Sequence, residues 1–138
     1  MRIKIKATNL RLTSALRSYV QEKIGGLEKF IQQPESKENL SKKGKDPVEV
    51  WVEIGKTTHH HHKGRVFRAE GQVKILGKNI RSESVQEDLH LAIDEVKDEL
   101  QRELKKFTSK KVSVYKRTAR RMKDLVRFSP LARIKRRR

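Results

Sequence analysis

The sequence contains no cysteine, so disulfide bonds and thiolate zinc sites are excluded. This composition fits a reducing compartment. Apolar runs of membrane-spanning length are also absent, and the first residues lack the apolar segment of a signal peptide. These absences together predict a cytoplasmic protein that does not cross a membrane.

Catalytic signatures are missing as well. The sequence has no Gly-x-Ser-x-Gly, no His-Glu-x-x-His and no glycine-rich loop that could cradle a phosphate. Asp94 and Asp98 lie one helical turn apart, but a charged, solvated helix face accounts for them better than a catalytic carboxylate pair. His90 is a weak candidate for a general base. We therefore expect no enzymatic activity, no catalytic residue and no cofactor.

Four of the five histidines form one run, His59–His62. Consecutive histidines can capture a divalent metal. Here no carboxylate stands beside the run to orient an imidazole ring. We predict a solvated loop with incidental metal affinity rather than a dedicated metal site.

Positive charge dominates what is present. The 138 residues include 35 Lys and Arg against 17 Asp and Glu, a formal net charge of +18. Such a surface attracts polyanions, nucleic acid first and anionic membranes second. Residues 108–138 hold 13 of the cations and one acid. We predict a folded domain over residues 1–107 and a basic arm over 108–138, largely disordered, within which residues 112–126 could form a short helix.

Alternation of apolar and polar residues predicts the strands. The predicted strands are residues 2–7, 47–54, 65–75 and, after a turn at 77–79, residues 80–84. In the first strand the apolar residues face one side, and Arg2, Lys4 and Lys6 face the other. Trp51, the only tryptophan, falls on the polar face of the second strand. There it could stack on a base or pack against a neighbouring side chain.

Apolar residues at three- and four-residue spacing predict two helices. The first covers roughly residues 14–31, with Thr13 as its N-cap and a kink or frayed end at Gly25-Gly26. The second covers residues 85–107, and Ser84 with Glu87 resembles a capping box. Its predicted apolar stripe consists of Leu89, Ala92, Ile93, Val96, Leu100, Leu104 and Phe107.

The predicted element order is β-α-β-β-β-α. A helix connects the first two strands, so these should be parallel with a right-handed crossover. The remaining strands can pair as an antiparallel meander. The result is an α+β two-layer sandwich, in which a four-stranded sheet carries two helices on one face and its other face stays polar.

Cations at the end of the second helix are the leading candidates for a binding site. Arg102, Lys105 and Lys106 recur at positions i, i+3 and i+4, opposite the apolar stripe. The simpler explanation is that basic residues complement the helix dipole. The basic arm follows directly, so the combined charge suits phosphate contacts. Because the aromatic RNP pattern and the GXXG loop of single-strand readers are absent, recognition of RNA shape and backbone is favoured.

Two stretches resemble a known family. The segments MRIKIKATNLRLTSALRSYVQEKIGGLEKF and VQEDLHLAIDEVKDELQRELKKF are similar, in order and spacing, to the ribosome hibernation-promoting factor and ribosome-associated inhibitor family, also called the sigma-54 modulation family. The resemblance covers about residues 1–107.

The resemblance implies a fold like that of double-stranded-RNA-binding domains. It also implies binding to the small ribosomal subunit where tRNA and mRNA pass, which would silence translation under stress. By position, ribosomal RNA would be contacted by Arg102, Lys105 and Lys106, then Lys110 and Lys111, with Lys4, Lys6 and Arg17 as further candidates.

The sequence departs from the family at Gly25-Gly26 and in its basic arm, where long members carry a dimerisation domain. Whether ribosomes are paired or silenced singly is therefore open. Two alternatives remain at this stage. One is a generic RNA-binding or RNA-chaperone module driven by the basic arm, and the other is a transcription regulator.

Overall fold

The computed structural model describes residues 1–31, 48–57, 66–75 and 77–127. Its elements are β1 (Arg2–Thr8), α1 (Ser14–Gly25), α2 (Glu28–Ile31), β2 (Glu49–Thr57), β3 (Val66–Ile75), β4 (Lys78–Gln86) and α3 (Leu89–Arg127). The predicted β-α-β-β-β-α order and the α+β class are confirmed, with the first helix divided into α1 and α2. The histidine run at 59–62 and the polar loop after α2 lie outside the described residues.

One four-stranded sheet forms in the order β1-β2-β3-β4. β1 and β2 are parallel, as a helical crossover requires, and the two later pairings are antiparallel. β2 extends to Thr57 because this residue still pairs with Val66 of β3. Gly77 has a positive φ of 76°, which suits the tight turn into β4.

The core lies between the sheet and the helices. β2 contributes Val50, Val52 and Ile54, all almost completely buried, which confirms the predicted inward face. The helices contribute buried residues at helical spacing. They are Leu16, Val20 and Ile24 from α1, and Ala92, Ile93, Val96, Leu100 and Leu104 from α3.

The first helical segment confirms the predicted cap and break. Leu16 N donates a hydrogen bond to Thr13 Oγ1 at 3.2 Å, so Thr13 is the N-cap. α1 ends at Gly25, and the chain resumes as α2 only at Glu28. Leu27, between the two helices, is fully buried and carries the core across the break.

The start of α3 corrects the predicted capping box at Ser84. β4 continues to Gln86 because Gln86 still pairs with Phe67 of β3, so Ser84 is a strand residue. Asp88 is the cap instead: its Oδ1 accepts from His90 N at 2.8 Å, and its carbonyl accepts from Ala92 N at 3.0 Å. Ser84 Oγ donates to the Glu95 carboxylate, as does Gln86 Nε2. These two hydrogen bonds lower the pKa of Glu95, and the one from Ser84 is the larger cause.

The end of α3 also differs from the prediction. The helix does not stop at Phe107 but continues to Arg127. Neither proline nor glycine occurs between Gly77 and Pro130, so the sequence offers no helix breaker in this stretch. The chain divides into two units, Met1–Lys105 and Lys106–Arg138. The predicted division into a domain and a disordered arm stays a prediction. In the described part of the chain, no helix is long and apolar enough to span a membrane.

Candidate nucleic-acid interface

Within the first unit, Arg102 and Lys105 lie on exposed positions of α3. The Arg102 guanidinium forms an ion pair with Glu99 at 2.9 Å, one helical turn earlier. Lys105 Nζ lies 4.9 Å from the ring centroid of Phe30 on α2, a cation–π distance. Lys105 is therefore both an exposed cation and a contact between two helices, a second role that sequence spacing did not reveal.

The second unit presents a cationic helix. Lys106, Lys110 and Lys111 are exposed on it, and Lys111 Nζ lies 5.0 Å from the ring centroid of Phe107. Exposed cations continue along the same helix at Lys116, Arg117, Arg120, Arg121, Lys123 and Arg127. Asp124 is the single acid over this described part, so the helix is suited to a polyanion.

Lys4 and Lys6 lie elsewhere, on the face of the sheet opposite the helices. Lys4 Nζ approaches Glu49 at 3.5 Å, and Lys6 Nζ approaches Glu53 at 3.9 Å. Both lysines remain more than half exposed, at 52% and 75%. Ion pairs this exposed contribute little to stability, so both charges can exchange partners at small cost.

A second ion-pair cluster on that face joins β3 and β4. Arg68 contacts Glu83 at 2.6 Å and Glu70 at 3.0 Å, and Arg81 contacts Glu70 at 2.7 Å. The hydrogen bond from Arg68 lowers the pKa of Glu83. Sequence patterns did not predict this cluster, because finding it requires the strand register that places Glu70 opposite Glu83.

Arg17 is exposed on α1, close in sequence to a cluster that joins α1 to α3. Tyr19 Oη donates to Asp94 Oδ1 at 2.8 Å, and Lys23 Nζ lies 3.4 Å from the same oxygen. Desolvation, followed by this hydrogen bond and nearby carboxylates, raises the pKa of Tyr19 to about 12. The His90 ring packs edge-on against Tyr19, with centroids 4.5 Å apart. Asp94 therefore links α3 to α1 through Tyr19 and Lys23.

The structure thus distributes the predicted site residues over distinct surfaces. Lys4 and Lys6 share the sheet face opposite the helices, which carries no helix among the described residues and is termed the open sheet face. Arg102 and Lys105 share one face of α3. Lys106, Lys110 and Lys111 belong to the second unit. Among the described residues no group of three or more potential metal ligands occurs. The assignment of these cations to RNA contacts stays a prediction.

The fold and its exposed cations define a small basic α+β protein. Residues 3–112 match the family described as "Sigma 54 modulation protein / S30EA ribosomal protein". Because the match covers most of the sequence, the chain belongs to this family. It is a family of ribosome-associated factors rather than enzymes.

Curated relatives and solved structures agree with this assignment. A ribosome hibernation promotion factor from Lactococcus lactis is 26% identical over 112 residues, which are 80% of this chain and 51% of the relative. One from Deinococcus radiodurans is 26% identical over 106 residues, 77% of this chain and 48% of the relative. The chain therefore spans about half the length of the curated relatives that it matches.

The solved structures support the fold. The N-terminal domain of Thermus thermophilus Protein Y superposes with a TM-score of 0.58 at 26% identity, covering 78% of this chain and 99% of that domain. A ribosomal subunit interface protein from Coxiella burnetii gives the same TM-score at 16% identity, covering 79% and 99% of the two chains. The second likeness concerns the fold alone.

Proposed function

We propose that this protein is a ribosome-silencing factor of the hibernation type. It binds the small ribosomal subunit in the channel used by tRNA and mRNA, and it blocks translation by occupying that channel. The observation that carries the proposal is family membership over residues 3–112, together with relatives named as hibernation promotion factors.

The proposed anchoring is electrostatic. In the first unit Arg102 and Lys105 contact ribosomal RNA phosphates, and in the second unit Lys106, Lys110 and Lys111 do the same. Lys4, Lys6 and Arg17 are accessory contacts in this proposal. The exposure of these side chains supports the proposal, because an exposed cation can reach a phosphate. Each phosphate that is neutralised releases a condensed counterion, which favours binding.

A second candidate function is generic RNA binding, or RNA chaperoning, driven by the basic arm. The observation in its favour is the run of exposed cations from Lys116 to Arg127 on α3. Such a helix would bind any RNA duplex through its backbone, without a preference for the ribosome.

The test compares two charge-matched triple variants in co-sedimentation with purified small subunits. One carries Arg102→Glu, Lys105→Glu and Lys106→Glu, and the other carries the same changes at Lys116, Arg120 and Lys123. Both lower the net charge by the same amount. We expect the first variant to lose subunit binding and translation inhibition by more than about tenfold, which corresponds to about 1.4 kcal/mol of binding free energy. The second should lose only part of its low-salt affinity.

Circular dichroism controls for folding, because the Lys105→Glu change removes a cation–π pair with Phe30 worth about 0.5–1 kcal/mol. A folded first variant that silences translation with wild-type potency would contradict the site assignment. Loss of binding in the second variant alone would favour the generic RNA-binding candidate.

A further inference from the structure

Trp51 lies in the middle of the open sheet face and is not explained by the fold. It belongs to β2, an interior strand, and keeps 37% of its surface exposed. Lys4 Nζ lies 5.6 Å from its ring centroid, a cation–π distance. Among the Phe, Tyr and Trp side chains that the structure describes, it is the only one classed as exposed. An exposed indole at the centre of a sheet therefore indicates a surface that can bind a ligand.

The strand register places polar partners on both sides of this indole. The row of residues paired across the four strands consists of Lys4, Trp51, Gln72 and Arg81. The indole is thus flanked by an ammonium and an amide, with a guanidinium one strand further. This row offers one stacking surface, one group able to read a base edge and two phosphate-binding cations.

Charge is unevenly distributed over the open face. On one side of the Trp51 row lies a row that consists of Arg2, Glu49, Lys74 and Asn79, and on the other a row that consists of Lys6, Glu53, Glu70 and Glu83. The Trp51 row and the first neighbouring row together carry four cations and one carboxylate. The second neighbouring row carries three carboxylates and one cation, and two of its carboxylates, Glu70 and Glu83, are also paired with Arg68 and Arg81. A polyanion would therefore lie over the Trp51 side. Arg81 would exchange its pairing with Glu70, 2.7 Å away, for a phosphate, at small cost because its side chain is 58% exposed.

We propose that this half of the open sheet face binds an unpaired RNA nucleotide, with the base stacked on Trp51 and its phosphates held by Lys4 and Arg81. Stacking requires an unpaired base, because in a duplex both faces of each base are already covered. The geometry favours a single-stranded or flipped-out nucleotide over a helix. It adds a contact of a different kind to the phosphate contacts proposed for α3.

The proposal separates two lysines that look equivalent in sequence. Lys4 and Lys6 lie on the same strand and face, and both are exposed. Lys4 is paired across the strands with Trp51, whereas Lys6 is paired with Glu53 in the acidic row. Lys4 should therefore contribute to nucleotide binding at Trp51, whereas Lys6 should contribute less, because it lies in the acidic row.

The inference rests on the proposed function for its choice of RNA as the ligand, yet it is tested by a separate signal. Trp51 is the only tryptophan in the chain, so tryptophan emission, excited where the two tyrosines absorb little, reports on this site alone. The 138-residue chain is titrated with an unstructured oligonucleotide of about nine adenine and cytosine nucleotides, within the range that such surfaces cover. A parallel titration uses the same RNA annealed to its complement. Anisotropy of a labelled RNA reports total binding in both cases.

The expected result is strong quenching of Trp51 by the single strand and little quenching by the duplex at equal saturation. Trp51→Thr should weaken single-strand binding about 5- to 100-fold at a salt concentration that suppresses arm binding. Its salt slope should stay unchanged, since the phosphate-binding lysine and arginine are still in place. Lys4→Ala should flatten that slope by about 0.7, and Lys6→Ala should flatten it by clearly less. Trp51→Phe should recover most of the affinity.

Threonine suits an exposed strand position, so the Trp51→Thr variant should fold. Unchanged Trp51 emission at saturating single-stranded RNA would overturn the inference, as would equal quenching by the duplex or equal effects of the two lysine variants. Co-sedimentation of the wild-type protein with small subunits is measured alongside. A failure there counts against the proposed function, whereas absent quenching with intact co-sedimentation counts against the Trp51 site only.

Discussion

Gly71 of β3 lies directly against Leu100 of α3. A Cβ atom at position 71 would lie 2.7 Å from Leu100 Cδ1 and 2.8 Å from Val96 Cγ1. Both neighbours are almost completely buried. The absence of a side chain at Gly71 therefore allows α3 to pack closely on the sheet, which positions the helix that carries Arg102 and Lys105.

This close approach predicts that two substitutions lower the stability of the protein for opposite reasons, one by overpacking and the other by leaving a cavity. Gly71→Ala should overpack the interface and destabilise the protein by about 1–3 kcal/mol, because Val96 is branched at Cβ and cannot easily move away. Leu100→Ala should cost about 2–5 kcal/mol through reduced burial and the cavity that it leaves. Urea unfolding measures both values. A loss below about 0.5 kcal/mol for Leu100→Ala would mean that this residue is not in the core.

The double variant tests whether the two residues share one space. The methyl group added by Gly71→Ala can occupy part of the volume vacated by Leu100→Ala, so the combined loss should be smaller than the sum of the single losses by more than about 0.5 kcal/mol. Strictly additive losses would show that Gly71 and Leu100 act independently.

The hydrogen bond from Tyr19 to Asp94 predicts a pH-dependent contribution to stability. Tyr19→Phe should cost about 1 kcal/mol at neutral pH, since one partly buried hydrogen bond is removed. The folded protein holds the Tyr19 proton up to a pKa of about 12, above the ordinary value of 10.0. The contribution is therefore complete below a pH of about 10 and disappears as pH rises from there towards 12. Thermal unfolding of both proteins at increasing pH should show their difference shrink over that range, and a constant difference would contradict it.

The exposed cations of the second unit predict a steep salt dependence of RNA binding. Replacing Lys116, Arg117, Arg120, Arg121 and Lys123 with Gln should flatten the slope of log affinity against log salt by about 0.7–0.9 for each phosphate that is no longer neutralised. Co-sedimentation with ribosomes between low and moderate salt measures this slope. Glutamine retains helix propensity, so α3 should persist in the variant. An unchanged slope would show that these cations do not meet phosphates.

Much of the fold was predictable from periodicity. Alternation identified the inward faces of the strands, because side chains in a strand change face at each residue. The predicted stripe from Ala92 to Leu104 is correct because residues three or four positions apart lie on one face of a helix. The packing role of Gly71 was not recognised, since a hydrophobic pattern gives no signal for a residue that matters because it has no side chain. The cap at Ser84 was wrong because pairing with β3 extended β4 past it.

The candidate site was predictable only in part. Spacing along one helix placed Arg102 and Lys105 on a common face, and the structure agrees. The cross-strand row of Lys4, Trp51 and Gln72 depends on strand register, which no local pattern in the sequence determines. The cation–π pair of Lys105 with Phe30 depends on how two helices pack. Relationships between distant segments were thus the part that sequence reasoning could not supply.

In the proposed function, the protein binds the small subunit in the channel that tRNA uses. The most direct measurement is competition on purified small subunits, in which bound protein is challenged with increasing concentrations of tRNA and a short mRNA. We predict that tRNA displaces the protein and that the protein reciprocally lowers tRNA affinity by the same factor. A duplex RNA of equal charge should displace it far less. Simultaneous binding of tRNA and the protein, or equal displacement by the duplex, would contradict this claim.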